Sequence, residues 1–175
     1  MRHASRSILG LALAAVALCL PGCPGYTHGF ALPPGAEEMK TVAIDIFTNR
    51  TLYTDLEFEF TQALQREVSA KTTLKIASRD NADAVITGAI LSYTKKVLRE
   101  SRDDEVSRYS IVVTVSYEFK SLPGAGEAEK VIRSSKKLVR SAEYEVMTHH
   151  TEADARAEAV RKIARKVVSH IFETW

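Results

Sequence analysis

Two cysteines in 175 residues, Cys19 and Cys23, leave no means of stapling a fold covalently. Cys19 lies inside an apolar leader and Cys23 at its end. The body of the chain therefore has no thiol for a disulfide, a thiolate nucleophile or a metal–sulfur site. Histidine is scarce as well. Beyond the leader there are only His28, His149, His150 and His170. The adjacent pair His149-His150 would not share a helix face, and no Cys or His partner stands at ligand spacing. It reads as a solvated loop pair rather than a metal site. A Gly-x-Ser-x-Gly elbow and a phosphate loop are both missing. No acid stands alone in an apolar run where burial would raise its pKa. Asp45 comes nearest, but alternation sets it with Thr41 and Ala43, opposite Val42, Ile44 and Ile46, and so in solvent. Neither catalysis, a metal nor a cofactor is expected.

A cationic excess is also missing once the leader is set aside. Arg2, His3 and Arg6 form a short basic start, and Ile8 to Leu20 an almost unbroken apolar run. A basic start followed by 7–15 apolar residues is a secretory signal, and the run falls short of the roughly 20 residues of a spanning helix. Leu20-Pro21-Gly22-Cys23 then resembles the bacterial lipobox, with cleavage before Cys23 and acylation of that residue. Each buried CH₂ contributes about 0.8 kcal/mol, so the three acyl chains this class implies make attachment effectively permanent. Pro24 stands where the inner-membrane retention signal would place Asp, which points to the outer membrane. Removing residues 1–22 takes away Arg2 and Arg6, so Lys plus Arg falls from 24 to 22 and equals the 22 Asp plus Glu. A formally neutral mature chain argues against bulk nucleic-acid binding. Its 153 residues, 175 less the leader, suit one domain.

What is present is periodicity. Residues 23–38, with Gly25, Gly29, Pro33, Pro34 and Gly35, read as an acylated tether. Met39–Phe47 alternates as a strand. Asn49-Arg50-Thr51 is a loop, and Thr54 with Glu57 predicts a capping box. Leu56, Phe60, Ala63, Leu64 and Val68 follow at helical spacing. Thr73–Ala77 is a short strand, and Ala84–Leu98 a long one. The charged stretch Arg99–Ser107 is a hairpin connection. In Arg108–Leu122 every second residue is apolar from Ile111 to Phe119, the mark of a sheet covered on one side. Pro123-Gly124-Ala125-Gly126 is a turn, and Glu129–Arg140 a basic strand. Thr151 with Asp154 caps a last helix that buries Ala155, Ala159, Val160, Ile163, Val167 and Ile171. Its other face carries Arg156, Arg161, Lys162, Arg165 and Lys166. Residues 39–175 thus predict one two-layer α+β domain. Two helices pack on one face of a four- to five-stranded mixed sheet, in the order β-α-β-β-β-β-α.

The cations cluster locally. Lys95, Lys96, Arg99, Arg102 and Arg108 bracket the hairpin, and Arg133, Lys136, Lys137 and Arg140 mark the last strand. Such residues can simply guard a sheet edge. They can also bind a polyanion through charge-assisted contacts, and phosphorylated lipopolysaccharide is the obvious one in a cell envelope.

An ordered set of segments now resembles the lipopolysaccharide-assembly lipoprotein family, LptE. The segments are Cys23-Pro24-Gly25-Tyr26, Leu32-Pro33-Pro34-Gly35, Val42 through Thr51, and Asn81-Ala82-Asp83-Ala84-Val85-Ile86-Thr87-Gly88. Pro24 interrupts the usual Cys-Gly-Tyr, and Asp45 stands where proline is common. The resemblance implies a non-enzymatic outer-membrane lipoprotein on the periplasmic face. It would plug a large β-barrel partner, LptD, and help place lipopolysaccharide in the outer leaflet. Direct lipopolysaccharide contact would fall to Lys95, Lys96, Arg99, Arg102, Arg108, Arg133, Lys136 and Lys137. Curli-secretion and penicillin-binding-protein-activator lipoproteins carry similar strands and form the alternative.

Cys23→Ala should abolish acylation and leave precursor or mislocalised protein. Mass spectrometry of the mature N-terminus checks this, and an unlipidated Cys23 in the wild type would end the lipoprotein reading.

Overall fold

The computed structural model describes residues 30–100, 106–122, 128–145 and 151–173. The leader, Cys23, His28, Arg102 and the His149-His150 pair lie outside them. Strands β1 (Thr41–Ile44) and β2 (Thr48–Asn49) lead into helix α1 (Leu56–Lys71) and strand β3 (Lys75–Ile76). Long strands β4 (Ala84–Glu100), β5 (Val106–Ser121) and β6 (Lys130–Glu145) follow, and helix α2 (Glu152–Phe172) ends the domain. The sheet runs β3-β1-β4-β5-β6, with β2 paired to β4 beyond the end of β1. β1, β2 and β3 run parallel to their neighbours, whereas β4, β5 and β6 form an antiparallel meander. α1 packs over β1, β2 and β3, α2 over β5 and β6, and the helices touch each other.

The one-sided alternation holds throughout β5. Ile111, Val113, Val115, Tyr117 and Phe119 are all buried against the helices. Both helical stripes are buried as well, from Leu56 to Val68 on α1 and from Ala155 to Ile171 on α2. Fully burying a side chain such as Phe60 contributes about 1.5–3 kcal/mol. Its ring meets Phe47 edge-on with centroids 4.7 Å apart.

Four local expectations are corrected. Thr54 and Glu57 form no capping box. The N-cap of α1 is Asp55, in the left-handed region at φ 66°, with no side-chain cap. Glu57 is already engaged, because its Oε2 accepts from Asn49 Nδ2 at 2.7 Å. Next, Ile46 is exposed rather than aligned with Val42 and Ile44. The first strand breaks after Ile44, and Phe47 takes the inward position. Asn49, expected in a loop, instead pairs with β4, and with Thr48 it makes β2. Finally, the charged connection is shorter than expected and β6 longer. Ladder pairing continues to Glu100 opposite Val106, and on β6 to Glu145 opposite Arg108. Backbone pairing is indifferent to the charge of side chains that point into water. The cap on α2 is as expected, with Asp154 N–H donating to Thr151 Oγ1 and Thr151 N–H to Asp154 Oδ2.

Three motif residues hold this break in the first strand together. Asp83 Oδ2 accepts from the Lys40 and Thr41 backbone N–H groups at 2.8 and 2.9 Å and from the Thr41 hydroxyl. Those contacts, the Lys40 N–H first, hold its carboxyl below the usual range. Asn49 Oδ1 accepts from Thr51 N–H at 2.9 Å, while its amide donates to Tyr53 O. That Asx turn delivers the chain to α1. Gly88 lies beneath the Phe47 ring.

The domain has two distinct ends. At the near end Phe30 N–H donates to Lys71 O, at the close of α1. Pro33 and Ala36 are buried there, so this part of the expected tether lies against the domain. At the far end stands the β4–β5 hairpin.

A Cβ at position 88 would collide with the Phe47 ring and the Ser116 carbonyl oxygen, one of which is backbone. Gly88→Ala should therefore destabilise the fold by about 1–3 kcal/mol. Chemical denaturation measures it, and an unchanged midpoint would show that the break in the first strand carries no weight.

Candidate interaction site

Strand alternation divides the long strands into a helix-covered face and an open face. The open face of β4 carries Thr87, Ala89, Ser92, Thr94 and Lys96, in register with Glu118, Ser116, Thr114, Val112 and Ser110 of β5. On β6 the same face continues through Ser134, Val139, Ser141 and Glu143. Hydroxyls and small apolar groups dominate it. A trough of about 580 Å³ crosses this region, lined by Thr48, Arg50, Thr87, Ser116, Ser134 and Lys136 among others. Among the described residues no three His, Cys, Asp or Glu side chains gather to hold a metal.

The described members of the candidate contact set do not form one cluster. Lys96 and Lys136 project from the open face side of the sheet and are exposed, as is Lys137 at the β-bulge opposite Ser116. Lys95 belongs to the covered side. Its Nζ bonds Glu152 Oε2 at 2.7 Å and lies 4.1 Å from the Tyr109 ring centroid. That contact fastens the N-terminus of α2 to β4. Arg99 and Arg108 are set opposite each other near the hairpin end of the ladder.

Arg133 has a structural partner. Its Nη1 donates to His170 O at 2.8 Å and Glu173 O at 3.1 Å. It therefore caps the C-terminus of α2, where bare carbonyls and the negative end of the helix dipole favour a cation. The partner lies 37 residues away in sequence, so no local motif announces it.

His170 and Tyr117, neither singled out among the contact residues, meet beneath that cap. The Tyr117 hydroxyl is hydrogen-bonded to His170 Nδ1, the hydroxyl donating when the ring is neutral and protonated at Nε2. Burial, with the nearby charges of Arg133 and Lys166, holds the imidazole below its ordinary value. Burial pushes the Tyr117 hydroxyl up. Both groups are thus kept neutral near pH 7. Alternation in β5 places Tyr117 inward, but the histidine's role depends on the packing of two distant elements. Among the described residues the arrangement shows no nucleophile–base pair open to a substrate. It offers polar surface, a long ladder and scattered exposed cations.

A family model described as lipopolysaccharide-assembly, LptE, matches residues 39–173. No curated protein matches the chain by sequence. Among solved structures it is similar to a variant PelC dodecamer from Paraburkholderia phytofirmans, at 18% identity and TM-score 0.51. That likeness covers 85% of this chain and 96% of the other. It is also similar to a hypothetical protein from Chlamydia trachomatis, at 12% identity and TM-score 0.50, covering 75% and 97%. At these identities the likeness is one of fold.

A folded-state pKa below the ordinary imidazole value means that the unfolded chain takes up the His170 proton first as pH falls. Its contribution to stability is complete above about pH 6.5 and is lost below it, at no more than about 1.4 kcal/mol per pH unit. We expect urea midpoints to fall between pH 7 and 5, and His170→Gln to flatten that slope. An unaltered slope would assign the loss to other groups.

Proposed function

This chain belongs to the LptE lipopolysaccharide-assembly family, and from that premise we propose that it is an outer-membrane lipoprotein, anchored through Cys23, that plugs a large LptD-like β-barrel. There it helps to place lipopolysaccharide in the outer leaflet by contact rather than by catalysis.

The observation that carries this reading is the length and polarity of the hairpin. β4 has 17 residues, roughly 55 Å at about 3.3 Å per residue. The hydrocarbon core of a bilayer is about 30 Å thick. A ladder anchored near the membrane by its near end is long enough to run the height of a barrel lumen. Lys96–Glu100 extend beyond the Lys95–Glu152 pair that fastens α2. Large barrels have a polar, water-filled interior. An open face in which Ser, Thr, Lys and Glu side chains alternate with small apolar ones such as Ala89 and Val112 suits that surrounding better than it suits lipid. With charges balanced overall, long-range attraction cannot select the partner, so shape and local patches must. The exposed cations Lys96, Lys136 and Lys137 are the described residues best placed to meet lipopolysaccharide phosphates, and Arg99 and Arg102 remain candidates from the sequence alone.

A photocrosslinker in place of Lys96 should capture a large β-barrel protein in cells. One in place of Glu37, at the near end, should do so weakly or not at all. Capture only of a cell-wall synthase, or only of further copies of this chain, would overturn the reading.

A further inference from the structure

The outer surface of the helical layer carries a second charged feature, remote from the open face of the sheet. A cleft of about 210 Å³ runs between α1 and α2 and is lined by Arg66, Arg156 and Arg161. Ala63 of α1 and Val160 of α2 are the buried residues of its lining, and Ala153 and Ala157 of α2 line it nearer the surface. The contributing residues recur at three and four positions on each helix, so each set forms one stripe facing the other. Small residues at these positions let a ligand reach the guanidinium groups without displacing bulk.

The three arginines are not mutually compensated by acids. Glu59 Oε1 accepts from Arg156 Nη2 at 2.8 Å, and it is the one carboxylate lining the cleft. Arg66 and Arg161 are exposed and make no ion pair among the described residues. Arg156 Nε is buried and has no hydrogen-bond partner. A buried guanidinium N–H without an acceptor is costly, because it has given up water for nothing. The side chain is thus held by Glu59 in an arrangement that leaves one donor unsatisfied. A small turn of the guanidinium toward an oxyanion lying across Arg66 and Arg161 would supply the missing acceptor.

We propose that this cleft is a binding site for a phosphomonoester. Three guanidiniums against one carboxylate leave a local charge that matches the −1.5 to −2 of such a group near neutral pH. The planar forks of arginine fit phosphoryl oxygens two at a time, which lysines do not. The site stands on the helices alone and does not rest on the barrel reading.

The test uses the full mature chain in detergent, with inorganic phosphate as the probe and chloride at matched ionic strength as the control. Phosphate should raise the thermal midpoint saturably. Arg66→Gln combined with Arg161→Gln should weaken the apparent affinity about tenfold or more, while Lys75→Gln combined with Lys130→Gln, two exposed lysines outside the cleft, should leave it unchanged. Two further arms identify the source of the group. Protection by glucose 1-phosphate points to a soluble ligand. Binding to phosphatidylcholine vesicles only when they contain phosphatidic acid points to a lipid headgroup. No midpoint shift beyond chloride overturns the proposal. So does an equal shift with acetate, or loss of the response in the Lys75/Lys130 variant instead of the arginine one.

Discussion

A row of five side chains on β5, Ile111, Val113, Val115, Tyr117 and Phe119, must be kept from water, and nearly everything else follows from how that is done. No disulfide can contribute to the body of the chain, so the cover must be made by packing. α2 supplies it with Val160, Ile163, Val167 and Ile171, and Phe172 meets Phe119 with ring centroids 5.5 Å apart. Both ends of this cover are pinned by polar contacts. The Thr151–Asp154 capping box and the Lys95–Glu152 pair hold its start, and Arg133 holds its end. The opposite face of the same strands carries hydroxyl, small apolar and charged residues, and its exposed members remain available for contact.

Much of this architecture is legible in the sequence where order is local and periodic. β5 alternates without a break, and α2 has both an apolar stripe and its cap within a few residues. Legibility fails where a side chain has two possible partners. Glu57 stands three residues after Thr54, as a capping box demands, but Asn49 competes for its carboxylate and wins. Ile46 continues an apolar alternation, yet Phe47 has the larger surface to hide and a glycine to lie upon. It also fails for charge. Arg133, Lys136 and Lys137 look alike in sequence, but only packing against α2 distinguishes the helix cap from the two exposed lysines. The cleft between the helices was legible only in part, since Arg156 and Arg161 read as a solvated face and nothing showed that Arg66 would join them.

The residues that carry the family resemblance prove to be architectural. Asn49 shapes the turn into α1, Asp83 ties β4 to the start of β1, and Gly88 makes room for Phe47. They are needed wherever this broken first strand is built, whatever the protein then touches. Contact residues are free to vary on such a frame, which is why the motifs identify the fold more sharply than they identify a binding surface.

The two ends of the described chain lie at the same end of the domain. Phe30 meets the close of α1, while Glu173 meets Arg133, whose strand position is level with Phe119 and, through β4, with Ile44. Tension applied between the termini would consequently not shear the β4–β5–β6 ladder along its length. It would begin at the near end and lift α2 away from the sheet one turn at a time. Mechanically, the long hairpin is the sheltered part of the molecule and the helical cover the part that yields first.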